Sequence, residues 1–403
     1  MSKLNPYNFV RFRPMADDAR QTPVWHSAVD ASLHSGQLTC QITALSPIFI
    51  PYHLEDESKG NQHKYYDEFF HLGDHRPVIP GSSLKGMFRS VAEAAVNGCL
   101  SVFSGQYTTN NRTKKPPQSH RYTEPFDLEP AIKELHLQPC HLVEKKSGAA
   151  DSGLCPTCRL FGMPAPDEGE DQAGQRPDFF AGKLSFSDAR LQGKPVYNPR
   201  VTLIELSSPD PTSYLYYQDL ENRVPHGRKF YYHRSTIYDS TQRGNRQATI
   251  RPLKPATQFE FTVDFNNLTD EELQLLIFTL VLDAAKSDNR WQAGAYHKLG
   301  YGKPAGLGSV GILITKWRRL ELAGEQGRYR GDGTGWHTVG GKVMDERIQE
   351  NKKAFEEQYG ATINVKDLRA ILRYPSPHSR IEYPRFPNEF NADGGYQLPA
   401  PVK

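Results

Sequence analysis

Alternating apolar and polar residues mark the strands that this chain is expected to form. Residues 38–44 and 257–265 alternate strictly, and residues 182–188 and 312–314 predict shorter strands. Alternation places every second side chain on one face, which is typical of a half-buried strand. The pattern therefore predicts four strands, separated by long polar segments.

Two segments carry apolar residues at helical spacing. The first covers residues 84–95, and either Ser82 or Ser83 is expected to cap it. The second begins at a capping box formed by Thr269 and Glu272, ahead of an apolar face. These are the two helices that the pattern places beside the predicted strands.

The order of the elements predicts an α+β fold with an antiparallel sheet and a ferredoxin-like or RRM-like core. Residues 51–76 lack a period and are expected to form a long loop. The C-terminal part is expected to hold a charged helix at about 343–359 and a short helix from Asn364. The predicted divisions are an N-terminal extension (1–36), the core (37–101 and 181–320), an insertion (102–180) and a C-terminal extension (321–403).

Composition and charge narrow the classes of protein. The 403 residues include 32 glycines and 30 prolines, which argues against a helical bundle. Lysine and arginine exceed aspartate and glutamate by only three, so a site for a polyanion has to come from local clustering. The sequence shows neither a run of eighteen apolar residues nor a secretory signal, and this predicts a cytoplasmic protein without a membrane anchor.

The start of the first helix has the features of an anion site. Gly81 permits an unusual turn, and Ser82 and Ser83 add hydroxyl groups beside the exposed N–H groups of a helix terminus. Lys85 and Arg89 place positive charge on the same side. This combination suits a phosphate backbone. The alternative is an ordinary capped helix with solvated basic residues.

Glycines between residues 306 and 311 match the spacing of the dinucleotide-binding fingerprint. That fingerprint opens a helix, whereas residues 312–314 predict a strand. A hairpin in which glycine lets another backbone approach closely is therefore favoured. Lys298 and Lys303 lie beside this segment and suit a phosphate chain.

Residues 223–254 form the strongest electrostatic signal, with eight lysines and arginines against a single acid, Asp239. Cations neutralise phosphates, and the interleaved tyrosine rings can stack on bases. The stretch therefore predicts a nucleic-acid surface, and the alternative is a solvated loop. The candidate contacts in this stretch are Arg228, Tyr231, Arg234, Arg243 and Arg246.

Cys155 and Cys158 have the spacing of half a zinc site, and Cys140 is a candidate third ligand. The candidate histidines for the fourth position are His120, His136 and His141. We expect a structural Zn²⁺ held by the three cysteines and His120, which would staple the insertion. The alternatives are a redox pair and buried thiols. Cys99 receives no role.

The loop at 51–76 mixes carboxylates with histidines. Asp67 and Asp56 are candidates to hold Mg²⁺ or another divalent metal for phosphodiester cleavage. General acid–base chemistry without a metal could use the histidines of the loop, which are His53, His63, His71 and His75. Exposed loops also carry such mixtures without any activity.

Residues 79–89, Ile-Pro-Gly-Ser-Ser-Leu-Lys-Gly-Met-Phe-Arg, resemble the signature of the RAMP superfamily (repeat-associated mysterious proteins). These proteins are backbone subunits of type III CRISPR effector complexes. The opening residues resemble a subgroup with a longer N-terminus, type III-D. Three further stretches resemble family segments in the expected order, namely Cys155-Pro-Thr-Cys158-Arg-Leu-Phe-Gly, Gly182-Lys-Leu-Ser-Phe-Ser-Asp188 and Gly300-Tyr-Gly-Lys-Pro-Ala-Gly-Leu-Gly308. The resemblance covers roughly residues 37–315.

The resemblance implies a subunit that binds CRISPR RNA, meets target RNA and stacks against other RAMP-type and large-subunit CRISPR proteins. The positions that match guide-backbone contacts of the family are Ser82, Ser83, Lys85, Arg89, Gly306 and Gly308. Members that cleave target RNA use an aspartate in the loop before the signature, where Asp67 lies closest and Asp56 second. This loop departs from the usual Ile-Gly-Gly-x-Asp form. The alternatives are an endoribonuclease that processes precursor CRISPR RNA and a capping subunit without catalysis.

Overall fold

The computed structural model describes residues 3–26, 30–52, 63–100, 129–140, 153–163, 179–204, 206, 218–219, 224–237, 239–240, 247–321, 335–378, 381 and 396–397. The helices are α1 (Gly81–Ala95), α2 (Glu129–Glu134), α3 (Pro156–Phe161), α4 (Asp270–Val281), α5 (Gly341–Phe355) and α6 (Ile363–Ile371). Short 3-10 turns cover Asp17–Ala19 and Lys303–Ala305, and a π-helical turn, Glu356–Gly360, extends α5.

The strands, in chain order, are β1 (Lys3–Leu4), β2 (Tyr7–Arg11), β3 (His34–Ala44), β4 (Lys64–Tyr66), β5 (Val78–Ile79), β6 (Gly162–Met163), β7 (Phe180–Ala181), β8 (Leu184–Phe186), β9 (Ala189–Gln192), β10 (Val201–Thr202), β11 (Gln218–Asp219), β12 (Val224–Pro225), β13 (Gly227–Tyr231), β14 (Ala248–Ile250), β15 (Gln258–Leu268), β16 (Lys286–Ser287), β17 (Arg290–Trp291), β18 (Gly294–Ala295), β19 (His297–Lys298), β20 (Ser309–Leu320), β21 (Trp336–Val339), β22 (Arg373–Tyr374) and β23 (Tyr396–Gln397). The fold is mixed α/β, and most of its sheets are antiparallel.

The largest sheet has the order β19-β20-β3-β15-β9-β5, with β21 paired to β20 and β8 paired to β15. Every pairing in this sheet is antiparallel. All four predicted strands are present, as β3, β8, β15 and β20. Alternation in β15 puts Phe259, Phe261 and Val263 on one face, where each is at most 1% exposed.

Helices α1 and α4 cover that buried face. Phe88 of α1 stacks on Phe261 of β15 with ring centroids 5.9 Å apart. The predicted capping box of α4 is confirmed, because Thr269 Oγ1 accepts from the Glu272 N–H and Glu272 Oε2 accepts from the Thr269 N–H. Among the described residues, no helix has the length and apolar character needed to cross a membrane.

Two local predictions were wrong. Helix α1 is capped by Pro80 rather than by a serine, so Ser82 and Ser83 fall inside its first turn. The loop at 51–76 contains β4, which pairs with β14 in a sheet completed by β10. The basic stretch at 223–254 is not an extended solvated loop, because it contains the β13 strand. Tertiary pairing decides these short strands, which carry too few residues for a period to show.

Both terminal extensions pack on the rest of the molecule. Strand β2 pairs with β13, and Arg11 forms a two-bond ion pair with Asp367 of α6. Helix α5 reaches α4 through stacked rings of Phe355 and Phe278, with centroids 4.0 Å apart. The charged C-terminal helix and the short helix after it are therefore present as predicted.

Candidate nucleic-acid interface and metal centre

The corner before α1 is built by a close backbone approach. The Gly81 N–H donates to Asp188 Oδ1 at 2.8 Å. A Cβ on Gly81 would lie 2.4 Å from the carbonyl oxygen of Phe186, so only glycine fits. The Asp188 carboxylate therefore accepts a hydrogen bond from one of the N–H groups that the sequence analysis expected to bind an anion. Ser82 is exposed and Ser83 half-buried at this end of the helix.

Lys85 and Arg89 lie one turn apart on α1 and are both partly buried. Burial, with a smaller contribution from Arg89, lowers the pKa of Lys85. Burial also acts against the charge of Arg89, but its hydrogen bond to Glu93 prevails and raises the pKa of Arg89. Of the two cations, Lys85 is therefore the one without a carboxylate partner among the described residues.

The glycine loop, residues 300–308, packs on the chain's own backbone. Gly306 and Gly308 both have positive φ, at 101° and 74°. A Cβ on Gly308 would lie 1.8 Å from the Leu299 carbonyl oxygen, and one on Gly306 would lie 2.6 Å from that of Thr236. Strand β20 follows directly, so the expectation of a hairpin with close backbone approach is confirmed and a dinucleotide turn is excluded.

Two lysines belong to this region and are named here the lysine pair: Lys298 precedes the loop, and Lys303 lies within it. Lys298 is buried, and its Nζ donates to the Leu307 carbonyl oxygen at 2.9 Å. Burial, followed by the charges of Lys303 and Arg234, lowers the pKa of Lys298 to about 7. Burial also lowers the pKa of Lys303. In the described part of the chain no carboxylate forms an ion pair with either lysine, so their positive charge stays uncompensated.

The basic stretch at 223–254 divides between the interior and the surface. Arg228 points inward and donates to the carbonyl oxygens of Gly98 and Cys99. Tyr231 packs edge-on against Tyr7 with ring centroids 6.2 Å apart. Arg234 lies behind the glycine loop, with its Cβ near Gly306. Arg243 and Arg246 lie outside the described residues.

Asp67 is held by an arginine. Arg200 Nε donates to Asp67 Oδ1 at 2.7 Å, and its terminal nitrogen donates to Oδ2 at 2.8 Å. Both carboxylate oxygens are therefore engaged, and a divalent ion would have to displace the guanidinium group. Asp56 lies outside the described residues.

The histidines of the same loop are packed against aromatic rings. His71 stacks on Tyr52 with centroids 4.3 Å apart, and His75 lies 4.5 Å from His71. His63 Nε2 lies 2.8 Å from Thr249 Oγ1. His53 lies outside the described residues. Glu68 Oε2 lies 3.7 Å from His71 Nε2.

Four buried cysteines form a compact cluster, and we call it the four-cysteine cluster. Its members are Cys99, Cys140, Cys155 and Cys158, whose sulfur atoms all lie within 4.8 Å of one another. A tetrahedral zinc with bonds of about 2.3 Å requires sulfur atoms about 3.8 Å apart, so the set fits such a metal. All five cysteines of the chain are free of disulfide bonds. Hydrogen bonds from neighbouring thiols, that of Cys140 foremost, lower the pKa of Cys155 well below its ordinary value.

Cys99 is the member of the four-cysteine cluster that the sequence analysis missed. It follows the end of α1, 41 positions from Cys140, and nothing in the spacing joins it to the other three. His120, the expected fourth ligand, lies outside the described residues. Four thiolates complete a tetrahedral site, which leaves no position for a histidine. The cluster can therefore bind a metal such as zinc with cysteines alone.

The comparisons with known proteins place the chain in a family. A model of the RAMP superfamily matches residues 41–311, which is more than half of the chain, and the protein therefore belongs to the RAMP superfamily. A chain titled as a type IV-B CRISPR complex is 17% identical, with a TM-score of 0.34, over 69% of this chain and 90% of that one. Csc2 of Thermofilum pendens is 14% identical, with a TM-score of 0.32, over 89% and 84%. No curated protein matches this chain.

Proposed function

We propose that this chain is a CRISPR RNA-binding backbone subunit of an RNA-guided effector complex of type III, in the III-D subgroup that its opening residues resemble. The observation that carries the proposal is the lysine pair at the glycine loop. Neither lysine has a carboxylate partner in the described residues. Burying a cation without an acid is costly unless an anion supplies the opposite charge. A sugar–phosphate backbone supplies one such charge at every nucleotide.

The arrangement of the core supports the same proposal. Strands β20, β3, β15 and β8 lie side by side in that order in the main sheet. Along the chain, α1 follows β3 and α4 follows β15. This order is the one expected of a ferredoxin-like core, the architecture that RRM domains use for RNA. We include target RNA and neighbouring RAMP-type and large-subunit CRISPR proteins as the partners of this subunit.

Purification from cells that contain the matching CRISPR array tests the proposal. We expect a short RNA with a constant 5′ sequence to copurify with the chain. A preparation that contains no RNA, and that ignores single-stranded RNA oligomers at low ionic strength, would contradict it.

Lys85→Glu is expected to weaken RNA binding, because Lys85 is the α1 cation without an acid partner. The slope of log affinity against log salt should fall by about 0.7, the value of one lost contact with single-stranded phosphate. A fluorescence-anisotropy titration at several salt concentrations measures both effects. Lys342→Glu, which makes the same charge change at a side chain 91% exposed on α5, is the matched control. An equal loss of RNA affinity in Lys85→Glu and Lys342→Glu would show a general effect of charge rather than a contact at Lys85.

RNA affinity is expected to depend on pH through Lys298. Its pKa of about 7 in the free protein lies below the ordinary value, and a bound phosphate favours the protonated form and raises it. Binding therefore takes up a proton, and affinity should fall as pH rises above 7, by up to about tenfold per pH unit between the two pKa values. Lys298→Met should remove this dependence, whereas Lys342→Met should keep it. If RNA affinity depends on pH in the same way in the wild-type protein, Lys298→Met and Lys342→Met, a contact between Lys298 and RNA is ruled out.

Asp67→Asn is expected to leave target RNA cleavage by the assembled complex unchanged. Arg200 holds both oxygens of Asp67, so the geometry favours a structural ion pair over a Mg²⁺ ligand. The measurement is the set of cleavage products from a labelled target in the presence of Mg²⁺. Loss of one product from Asp67→Asn, with Arg200→Gln unaffected, would instead assign catalysis to this carboxylate.

We further propose that the four-cysteine cluster binds one structural Zn²⁺. All of its sulfur atoms are buried, and a group of buried thiols without a disulfide is well suited to a soft metal. The bound zinc would join the end of α1 to α3. It would thereby fix the helix whose other end carries Ser82 and Ser83.

A further inference from the structure

Two arginines approach the four-cysteine cluster from the side of α1. Arg228, whose side chain is 13% exposed, donates to the Cys99 carbonyl oxygen at 3.1 Å and also to that of Gly98. Its other terminal nitrogen lies 3.5 Å from Glu93 Oε2. Arg89 Nε donates to Glu93 Oε1 at 2.9 Å. One carboxylate thus lies between two guanidinium groups next to the cluster.

Both guanidinium groups act on the cysteines as well as on Glu93. Arg89 interacts electrostatically with Cys158 and Cys99. Arg228 interacts electrostatically with Cys99 and Cys155. A cation directed at backbone carbonyls and buried thiols is poorly placed to contact a phosphate chain in solvent.

The charge of a metal-bound cluster explains why two arginines are placed here. Four thiolates around Zn²⁺ carry a net charge of −2, and Glu93 adds another negative charge. Without the arginines the region would carry a net charge of −3, and the two guanidinium groups bring this net charge to −1. Opposite charges matter most in a buried region, where screening by water is weak.

We propose that Arg228 and Arg89 are positioning residues of the metal centre, which stabilise the negative charge of the metal-bound four-cysteine cluster. This inference rests on the proposed zinc site. It assigns both arginines to the metal rather than to the RNA backbone, which leaves Lys85 and the lysine pair as the RNA contacts.

The test measures zinc affinity and RNA affinity on the same set of variants. Zinc affinity is read by competition with a chromogenic chelator, and the ligand set by the absorption spectrum of the Co²⁺-substituted protein. Arg228→Met and Arg89→Met should each lower zinc affinity about 10- to 100-fold. Arg89→Lys, which keeps the charge, should restore most of the loss. RNA affinity at saturating zinc should change by less than about threefold.

Lys85→Met is the control on the same helix, and it should lower RNA affinity without changing zinc affinity. Unchanged zinc affinity in both arginine variants would overturn the inference, as would an equal loss in Arg89→Lys and Arg89→Met. Should Arg228→Met fail to fold, Arg89→Met gives a second reading, because Arg89 Nε donates to a side chain, that of Glu93. Wild-type protein that binds zinc but no RNA would contradict the proposed RNA-binding function and leave the inference standing. Wild-type protein that binds RNA but no zinc would end both the proposed zinc site and the inference, and would leave the RNA-binding function standing.

Discussion

Cys155→Ser is expected to remove the bound zinc and to destabilise the region where α1, α2 and α3 meet. Cys155 is fully buried, and it lies between the other thiols of the four-cysteine cluster. Serine is a poor ligand for zinc, so three thiolates would remain for a tetrahedral metal. Structural zinc supplies about 10 kcal/mol or more to small domains, and we expect a loss of several kcal/mol here. Metal analysis and urea unfolding of the same preparations measure the two effects.

The matched control is Cys40→Ser, which changes a cysteine of β3 that is also fully buried but stands outside the cluster. It should keep about one zinc per chain and lose only about 1–3 kcal/mol from burying a hydroxyl. Treatment of the wild-type chain with a strong chelator should reproduce the Cys155→Ser result. Full zinc content in Cys155→Ser, or a wild-type chain that is stable and metal-free, would refute the metal site.

Lys183→Met is expected to lower the free energy of unfolding by about 3–5 kcal/mol, the usual cost of removing one partner of a buried ion pair. Lys183 Nζ donates to Glu272 Oε2 at 2.7 Å and to the Asn267 carbonyl oxygen at 3.0 Å. The side chains of Lys183 and Glu272 are 0% and 2% exposed. Removing the lysine leaves a buried carboxylate that also caps α4. Urea unfolding monitored by circular dichroism provides the measurement.

A double-mutant cycle separates this ion pair from general packing. Lys183→Met combined with Glu272→Gln should be less destabilising than the sum of the two single variants, because no charge is then left alone. Lys316→Met, at an exposed lysine of β20, should change stability by no more than about 0.5 kcal/mol. A loss below 1 kcal/mol in Lys183→Met would mean that water reaches Glu272. Zinc content should stay the same in all of these variants.

The segment at 182–188, which resembles a segment of the RAMP family, therefore has a structural role that the resemblance did not suggest. Lys183 turns inward to Glu272, whereas Asp188 turns to the N–H of Gly81 at the start of α1. One short segment thus anchors the beginnings of both helices that cover the main sheet. Such a segment can serve this anchoring as well as contact with RNA, and the two variants proposed for Lys183 and Lys85 tell these roles apart.

The sequence by itself determined the elements whose side chains repeat with a period. Alternation located β3 and β15, and a short apolar stretch located β20. Helical spacing located α1, and the Thr269 and Glu272 pair predicted the start of α4. Local order of this kind depends on residues that are neighbours along the chain, so it can be read without knowing what lies across the core. The glycine loop was predicted for the same reason, because a strand rather than a helix follows it.

Only the tertiary structure decided which side chains meet. It brought Cys99 to three cysteines far along the chain, turned Arg228 inward to them, and paired Asp67 with Arg200. These contacts join residues separated by between 41 and 133 positions, and no periodic pattern records such a separation. Burial and the choice of partner set the charge and reactivity of each group, and both arise only when distant segments pack together.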